Sequence, residues 1–227
     1  MPIPDFANPS LFPPLASCPA APLDPSAAAS ASAPAHFLLA QITDDMTITK
    51  PTLVATDRTG TSFAIVFEAA GAASGPPDRG FLRARGLRKG HTVVVPWARR
   101  RVPGSGRREF VAVECGGESG EVGGVRVVPG SLARVLEVGR VMRERRTRRG
   151  RTSAEDRGDV GDDEEWELGQ EKCDRCGGGE GSSLMQCTGC GEVRYCSKAC
   201  QVAHWGGEAG HKADCKIMKA IKDIWME

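Results

Sequence analysis

Towards one end of the chain eight side chains able to bind metal recur at short intervals: Cys173-x2-Cys176-x10-Cys187-x2-Cys190-x5-Cys196-x3-Cys200-x10-His211-x3-Cys215. Such crowding of thiols means either disulfides or metal. The spacing favours metal. Two Cys-x2-Cys pairs have the spacing of zinc knuckles, whose tight turns aim both sulfurs at one ion. Cys196 and Cys200 are four apart, as are His211 and Cys215, so each pair is expected to share one face of a helical turn. Eight donors in four pairs make two tetrahedral sites, one of four cysteines and one of three cysteines and a histidine. Every donor is used and no position stays open for a catalytic water, so both zinc ions are expected to be structural. Spacing alone leaves open whether consecutive or alternate pairs share an ion.

The elements around these donors need the metal. Residues 171–227 offer few large apolar side chains: Leu184, Met185, Val193, Tyr195, Val202, Trp205, Ile217, Met218, Ile221, Ile224 and Trp225. Zinc, at about 10 kcal/mol or more per structural site, is expected to supply most of the folding free energy there. Metal-bound thiolates imply a reducing compartment. No signal peptide is visible, since the first Lys or Arg is Lys50 and prolines interrupt the only early apolar stretch. No apolar run approaches the roughly 20 residues that span a bilayer. The expectation is a soluble intracellular protein without a membrane partner.

The rest of the 227-residue chain divides by composition and charge. Residues 1–35 are mostly Pro, Ala and Ser without apolar period, which reads as a disordered arm. Residues 36–142 read as a β-rich domain. Its β-branched or aromatic runs are Phe37–Ile42, Thr52–Thr56, Ser62–Glu68, His91–Trp97, Glu109–Glu114 and Val125–Val128, parted by turn-forming stretches. About six strands predict a small antiparallel sheet or barrel. Ser131 then stands as an N-cap before Leu132, Val135, Leu136 and Met142, which predicts a helix of two or three turns, shortened by Gly139. Residues 143–170 read as a charged linker, basic over Arg143–Arg151 and acidic over Glu155–Glu167. The predicted class is α+β: a small antiparallel β-rich domain followed by a zinc module, 171–227, with short helices.

Tyr195-Cys196-Ser197-x2-Cys200-Gln201-x2-His204-Trp205, followed by His211-Lys212-x2-Cys215, resembles the MYND zinc-finger signature over about a fifth of the chain. A RING finger would end in Cys-x2-Cys, and a HIT-type finger lacks the Gln-x2-His-Trp step. The resemblance implies interleaved sites, with Cys173, Cys176, Cys196 and Cys200 at one zinc and Cys187, Cys190, His211 and Cys215 at the other. This chain departs from the family in placing five residues, 206–210, between the Trp and the ligand His where about two are usual. His204 is therefore a competitor for the place assigned to His211, which alone keeps the x3 spacing to Cys215. The segment Phe63–Val128, with Lys89-Gly90-His91-Thr92-Val93-Val94-Val95, also resembles the N-terminal β-domain of uncharacterised fungal MYND proteins, a likeness that implies no activity.

Several MYND fingers bind proline-rich peptides of the form Pro-x-Leu-x-Pro, and the corresponding positions here are Thr188, Gln201 and Trp205. Gln201 and Trp205 lie four apart, so one helical face would present an amide and an aromatic wall. Proline stacks on aromatics and offers only carbonyl acceptors, which is the chemistry such a wall serves. The alternative is that Trp205 packs over the zinc core and Gln201 caps a backbone group. Within the arm, Pro9-Ser10-Leu11-Phe12-Pro13 fits the same pattern and is a candidate internal ligand. The resemblance implies a protein-interaction adaptor, expected in the nucleus rather than the cytoplasm and in transcriptional regulation.

Nucleic acid is the second reading. Seven thiolates and two zinc ions add −3 to a finger whose other charges cancel, which repels phosphate. Residues 36–151 carry 21 Lys/Arg against 11 Asp/Glu, so the β-rich domain is the candidate, through Arg83, Arg85, Arg88, Lys89, Arg99, Arg100, Arg101, Arg107 and Arg108. The run Arg143–Arg151 also reads as a nuclear-import signal. Some MYND fingers sit within SET-domain lysine methyltransferases, which carry an Asn-His motif and a catalytic Tyr. The only Asn here is Asn8, and the only Tyr, Tyr195, lies inside the finger. Gly104-Ser105-Gly106, Cys115 and His91 show no partner for nucleophilic or acid–base work, so no enzyme is expected.

Overall fold

The structure is a computed structural model that describes residues 3–21, 35–48, 50–69, 79–103, 108–115, 124–150, 172–179, 183–206 and 210–226. The chain forms two compact units: Phe6–Leu136, and Glu137–Glu227 together with Met1–Asp5. Its class is α+β.

The first unit is built on seven strands: β1 (Phe37–Asp45), β2 (Thr52–Asp57), β3 (Ser62–Ala69), β4 (Thr92–Pro96), β5 (Arg100–Arg101), β6 (Phe110–Cys115) and β7 (Arg126–Val128). Alternation decides which residues face inward. Leu53 and Ala55 of β2, Phe63, Ile65 and Phe67 of β3, and Val111, Val113 and Cys115 of β6 all enter one core with Leu38, Ala40 and Ile42 of β1. Leu82, on the short helix α1 (Arg79–Ala84), joins the same core.

The strand order is β5-β6-β3-β2-β1-β4-β7, and β3 runs parallel to β6. The sheet is therefore mixed, which corrects the expectation of an antiparallel one. The reason lies in the connection: the long stretch from β3 to β6 lets the chain cross over and return in the same direction. The sheet is also rolled. Laid flat, the five places between β4 and β5 would part them by about 24 Å. Yet Pro96 and Arg100 are four residues apart, which reaches about 14 Å at most. Trp97 makes the corner, with φ 54°. His36 holds it: its carbonyl accepts from the Trp97 N–H at 2.9 Å, and its Nε2 lies 2.9 Å from the Ala98 carbonyl.

The arm departs from the sequence reading. Within the expected disordered segment 1–35, the described residues include Phe6, Phe12, Leu15 and Cys18, all buried. Phe12 lies between the rings of Phe6 and Phe37, with centroids at 4.9 and 6.0 Å. The Leu11 carbonyl accepts from the Phe37 N–H at 2.8 Å, and Ala20 pairs with Arg100 on the edge of β5. Prolines remove any helical or strand period, but they hold the backbone extended, so a few apolar anchors suffice to pack it. Within Pro9–Pro13, Phe12 and Pro13 are buried in the first unit, Leu11 at the centre is half-buried, and Pro9 and Ser10 are exposed.

Helix α2 (Leu132–Gly150) is capped by Ser131, whose Oγ accepts from the Arg134 N–H at 3.4 Å. It runs well past the expected two or three turns. Arg140 bridges Glu137 at 2.7 Å and Glu144 at 2.5 Å, three and four residues away, and these pairs carry the helix through Gly139. The residues read as the start of a linker, 143–150, are therefore helix. The acidic block 155–167 lies outside the described residues. Among the described residues no helix is long and apolar enough to cross a membrane.

Candidate metal centre

The second unit holds the eight donors. Two knuckles begin it, and they share one construction. In each, the glycine after the second cysteine has positive φ, 71° at Gly177 and 69° at Gly191. Its N–H returns to the carbonyl of the first cysteine at 2.8 Å, Gly177 to Cys173 and Gly191 to Cys187. This conformation is open to glycine without steric cost and closes the turn that brings two sulfurs together. A two-stranded ribbon, β8 (Met185–Gln186) and β9 (Arg194–Tyr195), joins the second knuckle to helix α3 (Lys198–Trp205). Ser197 caps α3, its Oγ accepting from the Cys200 N–H at 3.2 Å. Cys196 thus precedes the cap, and Cys196 and Cys200 meet across a helix start rather than on one helical turn. His211 and Cys215 do share a face, one turn apart at the start of α4 (His211–Trp225).

These elements gather the donors into two groups, Cys173, Cys176, Cys196 and Cys200, and Cys187, Cys190, His211 and Cys215. The pairs alternate, as the resemblance implied and spacing alone did not decide. Around a tetrahedral zinc, sulfurs lie about 3.8 Å apart, and a sulfur and an imidazole nitrogen about 3.6 Å. Here Cys176 and Cys196 are 3.6 Å apart, as are Cys196 and Cys200, and Cys187 and Cys215 are at 3.7 Å. His211 Nε2 lies 3.4 Å from both Cys187 and Cys190. Both groups have the size and donor chemistry of a zinc site.

Electrostatics points the same way. Burial opposes ionisation of Cys173, but backbone N–H groups of Cys196, Cys176 and Arg175 outweigh it and hold the thiol down to about 6. Contact with the Cys200 thiol pushes Cys196 up to about 12, while burial and the charge of Cys190 push Cys215 up to about 12. Four sulfurs this close cannot all ionise unless a cation sits among them. Burial, then the neighbouring His204, lowers the pKa of His211 and keeps its imidazole neutral, as a metal ligand must be. The two cysteines outside the finger contrast with this. Burial pushes Cys18 and Cys115 up to about 11, and they stay thiols.

Residues 173–215 match the family model of the MYND finger. They form a MYND finger. A comparison of the chain with curated proteins found no match.

Within the MYND finger, His204 is not a competing ligand. Its Nδ1 lies 3.2 Å from the buried hydroxyl of Tyr195, and its ring stacks on His211 at 5.6 Å. Tyr195 and Trp205 meet the same imidazole edge-on at 6.4 and 6.0 Å. Three aromatic rings therefore fix the orientation of His211, a role for Tyr195 and His204 that the sequence reading missed although both stand in the quoted signature.

Of the peptide-binding candidates, Thr188 is exposed on the second knuckle, and Gln201 and Trp205 lie on α3, which buries none of its residues. Among the described residues the Gln201 amide and the Thr188 hydroxyl make no hydrogen bond, so Gln201 caps no backbone group. Trp205 touches His211 yet remains 40% exposed. Trp205 therefore leans on the metal site and still shows a face to solvent.

Two of the basic candidates are engaged within the β-sheet unit. Arg100 donates to Glu109 and to the Cys18 carbonyl, and Arg101 pairs with Glu68. Those two nominated phosphate contacts are spent inside the β-sheet unit. His91 Nδ1 lies 2.9 Å from the Gly86 carbonyl. Residues 104–107, with the Gly-Ser-Gly turn and Arg107, lie outside the described residues.

Proposed function

We infer that residues 173–215, as a MYND finger, serve this chain as a zinc-binding protein-interaction module. We propose that this finger recruits proline-rich segments of the Pro-x-Leu-x-Pro kind through Thr188, Gln201 and Trp205. The chain is then an adaptor without catalytic activity, acting in the nucleus in transcriptional regulation. The observation that carries the reading is α3: a helix with no buried residue, a Gln201 amide without a hydrogen bond among the described residues, and a half-open indole four residues on. Exposed Val202 on the same helix and exposed Met185 on β8 add apolar surface to the finger.

The test is a titration of the zinc-loaded chain with a Pro-x-Leu-x-Pro peptide, followed by amide chemical shifts. Trp205→Ala is expected to weaken binding by at least about tenfold, since an exposed Trp is the usual anchor of such a contact. Because Trp205 also touches His211, Gln201→Ala serves as the second variant and retains two zinc ions. Binding that survives both changes would remove α3 as the surface. A steep fall of affinity with salt would instead favour phosphate contacts and the nucleic-acid reading.

A further inference from the structure

The basic end of α2 is built into the finger. Arg145 Nη2 lies 2.7 Å from Asp174 Oδ1, and Arg146 Nη2 lies 2.5 Å from Glu192 Oε1. The two acids stand beside different knuckles, Asp174 inside the first and Glu192 two residues past the second. Asp174 follows the first ligand of the first knuckle, and its other oxygen accepts from the Arg194 N–H at 2.6 Å, tying that knuckle to β9 and so to Cys196. Glu192 follows the second knuckle, and its own N–H points at the Cys190 sulfur at 3.5 Å. Its side chain is only 2% exposed. Lys222 supports the same corner from α4, donating to the Cys190 carbonyl at 2.8 Å. Consecutive residues point about 100° apart around a helix, so neighbouring arginines can reach two different knuckles.

We propose that Arg145 and Arg146 are positioning residues for the two metal sites, one arginine to each knuckle, and that the last turns of α2 belong to the metal-holding fold. With zinc bound, the all-cysteine site carries −2 and the histidine-containing site −1. Asp174 and Glu192 add two more negative charges beside them. Arginine on each acid offsets that repulsion and fixes the peptides that present Cys173, Cys190 and Cys196. A linker reading of 143–151 would leave these guanidiniums in water. Instead Arg145 and Arg146 are unavailable to phosphate or to an import receptor for as long as the finger is folded.

The experiment is competitive zinc removal from the whole chain by a chromogenic chelator. Cobalt is substituted in parallel, so that the distinct spectra of all-sulfur and mixed sulfur–nitrogen coordination report each site separately. Arg146→Ala is expected to speed metal loss from the histidine-containing site by about tenfold or more, and Arg145→Ala to do so at the all-cysteine site. Arg145→Lys and Arg146→Lys keep the charge and lie between the Ala variants and the parent chain. Arg148→Ala, an exposed neighbour on α2, leaves both rates unchanged. Equal loss from both sites in either Ala variant would mean general loosening of the fold, and unchanged rates would mean no coupling. Each of those results overturns the proposal. Where an Ala variant fails to fold, the Lys variant at that position decides by the same site-specific readout.

Discussion

Chelation of the zinc-loaded chain unfolds residues 172–226 and leaves the β-sheet unit folded. Among the described residues, the large apolar side chains buried in the finger are few: Val193, Tyr195, Ile217, Met218 and Ile221. That core is too small to order two knuckles, a ribbon and two helices without help. Each zinc contributes about 10 kcal/mol or more in a structural site of this kind. Native mass spectrometry is expected to show two zinc ions per chain, and amide spectra in chelator to lose the dispersed signals of Tyr195, Cys200 and Ile217. Signals of Ile42, Ile65 and Val111, in the sheet core, should stay where they are. The sites should also empty in order. Cys176 is exposed and Cys196 and Cys200 half-buried, whereas all four donors of the other site are buried. The ion held by the four cysteines is therefore the first to leave. One zinc or none, with disulfides among the seven cysteines, would remove the metal-centred account of the fold.

The donor set was legible because ligand chemistry works at short range: the knuckles, the x3 pair and the two donor types are all local in sequence. How the pairs combine is a long-range fact. It depends on β8 and β9 folding Cys196 back to the first knuckle, and only the family resemblance implied it. The strands were legible for the same local reason, as Leu53, Ala55, Phe63, Ile65 and Phe67 alternate between clear turns. Their arrangement was not, because β3 meets β6 only once Trp97 has turned the chain and the sheet has rolled. Two features were read with the wrong sign. The arm looked disordered because composition averages away four anchors, Phe6, Phe12, Leu15 and Cys18. The basic run looked solvated because its partners, Asp174 and Glu192, stand far along the chain. In both cases a few specific contacts decided what an average over a window could not.

The arm also supplies a strong test in the β-sheet unit, at Asp57. This carboxylate is buried in the turn between β2 and β3, and four donors converge on it. Oδ1 accepts from the Thr59 hydroxyl at 2.7 Å and from the N–H groups of Thr59 and Thr61 at 2.9 and 3.0 Å. Oδ2 accepts from the Leu15 N–H at 2.8 Å, which fastens the arm to the sheet. Burial alone would raise its pKa, but the Thr59 hydroxyl and the three N–H groups outweigh burial and lower it. Asp57→Ala leaves these donors facing a void, and at about 1–3 kcal/mol for each buried group left unpaired the loss is expected to be about 4 kcal/mol. Asp57→Asn keeps the volume and one acceptor oxygen, but turns an NH2 towards the donors, and should cost about 2 kcal/mol. The pH dependence has a definite sign. A carboxyl with a lowered folded pKa stabilises the protein fully above its unfolded pKa, about 3.9. That stability drains away as the pH falls through the folded value. Urea unfolding followed at Ile42 and Ile65, which report the sheet and not the finger, should show this loss below pH 4 in the parent chain. Asp57→Asn should start lower and lack that slice of acid sensitivity. A variant that matched the parent at neutral pH would mean that the arm is held by Phe12 and Leu15 alone, with the carboxylate a passenger in the turn.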